Sequence, residues 1–98
     1  MNNEIRFEWN PEKASTNLSK HNVSFEEAQT VFMDENAVLF DDPDHSIEEE
    51  RFLILGISQK LKLLIVSHCI RESGNVIRLI SARKATKKEE RQYEEFNR

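Results

Sequence analysis

Ninety-eight residues with two glycines, two prolines and one cysteine are expected to make a single domain over residues 1–98, without linker or low-complexity sequence. Leu63-Leu64-Ile65-Val66, like the other apolar runs, falls far short of the ~20 residues that span a bilayer. The lone Cys69 excludes an internal disulfide and fits a reducing cytoplasm. The net charge of −4 hides two opposed halves: residues 1–50 carry three basic side chains against thirteen acidic, and residues 51–98 eleven against five. Between Arg51 and Lys88 only Glu72 opposes nine basic residues. That asymmetry points to a polyanion-binding half, with a solvated surface as the plainer alternative.

Glu4 to Trp9 alternates, with Ile5, Phe7 and Trp9 on one side, which predicts a half-buried strand. Asn10-Pro11 reads as a helix cap followed by proline at the first helical position. This helix runs to about His21, and Asn22 suits a left-handed stop. Ser24-Phe25-Glu26-Glu27 predicts a capping box in which Glu27 reaches back. Phe25, Ala28, Val31 and Phe32 then recur at helical spacing.

Ala37–Phe40 is a short predicted strand. Asp41, Asp42, Pro43, Asp44 and His45 form an acidic turn; their spacing matches neither a calcium loop nor a zinc motif, so no metal and no cofactor is expected. Three further strands cover Arg51–Ser58, Lys62–Arg71 and Val76–Arg83, joined at Gln59-Lys60 and Ser73-Gly74. Thr86-Lys87-Lys88-Glu89 is a second capping box opening a C-terminal helix with Tyr93 and Phe96. The fold class is therefore α+β: a small antiparallel sheet packed by helices, in the order β-α-α-β-β-β-β-α.

Two-residue turns, or four-residue turns with the same pairing, put Arg51 opposite His68 and His68 opposite Leu79. Ser81 and Arg83 then share the His68 face, and Arg78 lies opposite Cys69 and diagonal to Arg71 on the reverse face. A three-residue turn at either hairpin exchanges the faces. Neighbouring arginines repel unless an anion joins them, so each cluster reads as a phosphate seat. His68 is the best histidine for acid–base work, against the alternative of a packed core residue. Lys84, Lys87 and Lys88 surround a helix N-terminus, where backbone N–H groups attract phosphate and the dipole disfavours lysine. The late strands, apolar on both sides, also predict an exposed apolar strip beside the basic face.

Three blocks, "FEWNPEKASTNLSKHNVSFEEAQTVF", "DDPDHSIEEERFLILG" and "IRLISARKATKKEERQYEE", resemble the BrnT family of ribonuclease toxins over nearly the whole chain. Asn10 stands where the family usually has aspartate, Asn22 where it has glycine, and Ile70 where a polar residue is usual. The resemblance implies a RelE-like fold and an endoribonuclease that arrests growth by cleaving RNA; because the ribose 2′-OH can attack its own phosphate, that cleavage is expected to need no metal. It further implies a BrnA-type ribbon-helix-helix antitoxin and binding of operator DNA through the complex. The expected catalytic residues are Arg83, Arg51, His68 and Arg78, with Arg71, Lys84, Lys87 and Lys88 contacting RNA. The alternative is a non-enzymatic basic module that binds nucleic acid or an acidic partner.

Overall fold

Three long strands organise the molecule, for which a computed structural model describes residues 4–42, 50–71 and 74–98. These strands, β3 (Arg51–Ile57), β4 (Leu63–Arg71) and β5 (Val76–Lys84), form an antiparallel meander. A short β2 (Val38–Asp41) pairs antiparallel with β3, and β1 (Arg6–Glu8) pairs with β5, giving the order β1-β5-β4-β3-β2. The helices are α1 (Pro11–His21), α2 (Phe25–Gln29), continued by a 3₁₀ turn Thr30–Met33, and α3 (Lys87–Phe96). Element order is as expected, but the sheet is mixed rather than wholly antiparallel, because β1 runs parallel to β5. Hairpin geometry dictates antiparallel pairing only for strands joined by tight turns. The first strand reaches β5 only after the rest of the chain has passed, and is free of that constraint.

The helix boundaries follow local chemistry. Asn10 caps α1 by accepting from the Glu12 and Lys13 N–H groups, and Asn22 ends it at φ 57°. Thr86 and Glu89 form a complete capping box on α3. The box predicted on α2 is only half made. Ser24 accepts from the Glu27 N–H, but the buried Glu27 carboxylate does not close the box and instead accepts from Ser58 Oγ at 2.7 Å. It thereby ties α2 to the hairpin after β3.

The α1–α2 layer packs on one face of the sheet. Val23, Phe25, Ala28 and Val31 meet Ile54, Leu64, Val66, Ile77, Leu79 and Ala82. Gly56 lies on this face because a Cβ there would meet Ala37 Cβ and Val31 Cγ1 at 3.0 Å. Beyond Arg78 the outer edge of β5 has outrun β1. There Asn17 of α1 completes the ladder with its side-chain amide, donating to Ala82 O at 2.9 Å and accepting from Ala82 N at 3.0 Å.

Register departs from expectation at two points. In the first hairpin Ser58 N donates to Lys62 O, Leu61 N donates to Ser58 O, and Leu61 adopts φ 62°. This is a three-residue loop with a left-handed third residue. It opposes Arg51 to Cys69, and Phe52 rather than Arg51 to His68. The second hairpin keeps its expected register as far as His68↔Leu79 and Cys69↔Arg78. A β-bulge then skips Ile80, so Ser67 pairs with Ser81 and Ile65 with Arg83. The extra residue moves Ser81 and Arg83 from the His68 face to the Arg78 face. Of the predicted turns, Ser73 lies outside the described residues, as do Pro43, Asp44 and His45 of the acidic loop.

Leu61 carries a side chain in a backbone region that disfavours one, and that side chain is 85% exposed. Leu61→Gly is expected to raise stability by about 0.5–1 kcal/mol in urea unfolding, since relief of the left-handed strain exceeds the entropy lost.

Candidate active site

The two register changes act together. Directly paired residues share a face, so Arg51, Cys69, Arg78 and Glu8 form one row across four strands. Arg71 lies diagonally from Arg78, and Arg83 further along β5 on the same side. Two-residue turns would divide these four arginines between two faces; the observed register brings all four to one. Strand spacing puts the Arg51 and Arg78 backbones about 10 Å apart, and the Arg71–Arg78 diagonal is about 7–8 Å. Five residues along β5, Arg83 is roughly 15 Å from Arg78. Together they line a track long enough for several nucleotides rather than a single anion.

The floor of this face is apolar and covered. Leu55, Ile65, Cys69 and Val76 are all buried. The expected exposed apolar strip beside the arginines is therefore absent at these positions. Arginine stems are suited to screening such a floor while their charged ends stay wet. Of the exposed large apolar residues, Met33, Leu39, Leu61 and Phe96 lie outside the arginine rows, whereas Ile57, 38% exposed, stands two residues beyond Leu55 on the arginine side of β3.

Carboxylates already orient two of the arginines. Arg78 Nη1 donates to Glu8 Oε2 at 3.0 Å. Arg83 grips Glu89 with both terminal nitrogens, at 2.9 and 3.1 Å. The hydrogen bond to Glu89 raises the pKa of Arg83 above its ordinary value, and the bond from Arg83 holds Glu89 below the usual carboxylate range. Glu89 Oε1 also accepts from Thr86 N at 2.8 Å, so one carboxylate serves the helix cap and the arginine. From the sequence Glu89 is expected as a cap only, without its second partner, and Glu8 is expected on the polar side of the first strand, without a part in the site. The signal for Glu8 was available: it alternates with Phe7 and Trp9 on the polar side of β1.

His68 sits apart from this group. It is 1% exposed on the opposite, helix-covered face, edge-on to Phe32 at 4.8 Å and tilted against Phe52. Its Nδ1 lies 3.2 Å from Val66 O, and burial pushes its pKa below the ordinary histidine value. The predicted Arg51–His68 pair is not formed, because the loop at Gln59–Leu61 has an odd number of residues.

Lys84 pairs with Leu64 and so faces away from Arg83. Lys87 and Lys88 are exposed on the first turn of α3, with Lys87 Nζ 3.9 Å from Glu90. Tyr93 donates to Asp34 Oδ2 at 2.6 Å, and burial together with this bond raises its pKa to about 12. That contact anchors α3 to the turn before β2.

A family model described as "Ribonuclease toxin, BrnT, of type II toxin-antitoxin system" matches residues 9–89. Among solved structures, the chain is similar to the ribonuclease toxin BrnT of Brucella abortus. The two are 20% identical with a TM-score of 0.66, over 85% of this chain and 99% of that one. No curated protein matches the chain.

The neutral, buried His68 makes stability depend on pH. Its folded pKa lies below its unfolded value of about 6.5. Its contribution is therefore complete above that pH and is lost as pH falls through the folded value, because the unfolded chain takes up the proton first. His68→Phe is expected to flatten this part of the profile, read by urea unfolding between about pH 7.5 and about pH 5.

Proposed function

This chain belongs to the BrnT family of ribonuclease toxins of type II toxin–antitoxin systems, and on that premise we propose that its arginine face is the active site of a metal-independent endoribonuclease. Membership displaces the non-enzymatic alternative, and it brings an RNA substrate and an antitoxin partner with it. The reading treats residues 1–98 as one toxin domain on a RelE-like scaffold, acting in the cytoplasm. The partner in this reading is a BrnA-type ribbon-helix-helix antitoxin, and operator DNA is bound through the complex.

One observation carries the reading: Arg51, Arg71, Arg78 and Arg83 share a face despite belonging to three strands. Guanidinium groups stay charged and present forked donors matched to phosphate oxygens. In the proposed reaction the ribose 2′-oxygen attacks the adjacent phosphorus. A P–O2′ bond forms, the P–O5′ bond breaks with a solvent water giving its proton to the leaving 5′-oxygen, and the products carry a 2′,3′-cyclic phosphate and a 5′-hydroxyl. Arg51, Arg71 and Arg78 hold the phosphate that reacts and stabilise the charge growing on its nonbridging oxygens. Arg83 holds a phosphate further along the strand, with Lys87 and Lys88 beside it; Lys84 points to the other side and contributes only long-range attraction.

The reading gives His68 a packing role, since substrate on the arginine face has no access to a ring buried beneath the helices. Glu8, hydrogen-bonded to Arg78 on that face, accepts the 2′-hydroxyl proton instead.

Arg78→Ala is expected to lower RNA cleavage by about 10²–10³-fold while far-UV circular dichroism stays unchanged. Glu8→Gln should cut the rate while retaining RNA binding. Both are read with purified protein and RNA in EDTA, scoring cyclic-phosphate ends. Cleavage that requires added metal, or leaves 3′-hydroxyl ends, would falsify the metal-independent chemistry.

A further inference from the structure

We propose a second RNA-contacting element, the groove between α1 and the outer edge of β5, which holds the sugar–phosphate backbone of nucleotides flanking the cleaved bond. The inference rests on the ribonuclease reading above and extends its substrate path beyond the arginine face.

The groove is a shallow, open depression of about 380 Å³ lined by Lys13, Thr16, Lys20 and His21 of α1 and by Ile80 and Ser81 of β5, together with Glu12 and the buried Asn17. Positions 13, 16, 17, 20 and 21 recur at helical spacing and form one stripe. Asn17 is the buried member of the stripe, and its double hydrogen bond to Ala82 fixes the helix wall against the strand wall. The lysines beside it are exposed.

The charge of this stripe runs against its surroundings. Residues 1–50 hold thirteen acidic side chains and three basic ones, and two of those three, Lys13 and Lys20, line this one groove. Lys20 and His21 also complement the C-terminal end of the helix dipole. Lys13 does not, since it lies in the first turn of α1, where the dipole disfavours a cation. A polyanion in the groove supplies the missing favourable partner.

The bulge supplies the connection. By displacing Ile80 from the ladder it turns Ser81 onto the side that carries Arg78 and Arg83. Ser81 falls between those two arginines along β5, is exposed, and lines the groove. A strand of RNA leaving the arginine face at Ser81 therefore enters a channel with lysines on its far wall. Contacts of this kind recognise backbone, not base, and add affinity without sequence preference.

The test is the double variant Lys13→Gln/Lys20→Gln, whose two positions are exposed and outside the proposed active site. Binding is measured with a 2′-O-methylated oligoribonucleotide of about twenty nucleotides, which lacks the attacking hydroxyl, across a salt series. The double variant is expected to bind about tenfold more weakly, irrespective of sequence, and its log–log salt slope to fall by about 1.4, the value for two lost single-strand phosphate contacts. Cleavage of a short substrate of about three nucleotides is expected to stay at the wild-type rate. Unchanged affinity and slope would overturn the proposal. So would intact RNA binding combined with weakened capture of the antitoxin, which would assign the groove to a protein partner. A wild-type chain that shows the lysine-dependent slope yet cuts neither the short substrate nor the unmethylated form of the twenty-nucleotide strand would uphold the groove and overturn the ribonuclease reading instead.

Discussion

Side chains on a β-strand alternate with a period of two, so one residue of register decides which of them meet. In this chain that constraint operates twice. An odd-numbered loop at Gln59–Leu61 sets Arg51 against Cys69, and a bulge at Ile80 brings Arg83 round to join it. Neither change alone gathers four guanidinium groups on one side of the sheet. With a two-residue loop, Arg51 turns toward the aromatic layer around His68. With a regular β5, Arg83 does so. The charge asymmetry of the chain becomes a cationic surface only because two local irregularities reinforce each other.

Elements with strong local chemistry were legible in the sequence. Asn10-Pro11, Asn22 and the Thr86–Glu89 box all mark the helix ends where the structure has them. The three late strands fall within a residue of their expected limits. What the sequence does not display is whatever depends on distant partners. The parallel pairing of β1 is one case. Glu27 is another: its spacing from Ser24 fits a capping box, but a hydroxyl thirty-one residues away takes its carboxylate. Leu61 in a left-handed conformation gives no warning either, because that position usually calls for glycine or asparagine. The arginines were visible in the sequence as charges on three strands, but neither their common face nor the place of His68 and Lys84 on the other side could be read from it.

The arginine face also shows how a chain keeps a concentration of like charge folded. Glu8 and Glu89, from opposite ends of the sequence, each meet one arginine. These half-exposed pairs are individually weak. Their value is geometric, since a paired guanidinium is held in one orientation above an apolar floor. In the proposed site, a phosphate would meet donors that are already aimed and would compete with a carboxylate of similar charge.

Glu89 closes the first turn of α3 while it holds the fork of Arg83. No residue of α3 is fully buried, so polar ties of this sort carry much of its attachment. An anion that recruits the Arg83 fork draws on the same contact that orders the chain's last helix. In the proposed site, occupancy of the strand and order in the helix would thus be linked thermodynamic variables: whatever stiffens α3 through Glu89 would loosen the hold of Arg83 on a ligand, by the same free energy with which the ligand would loosen α3.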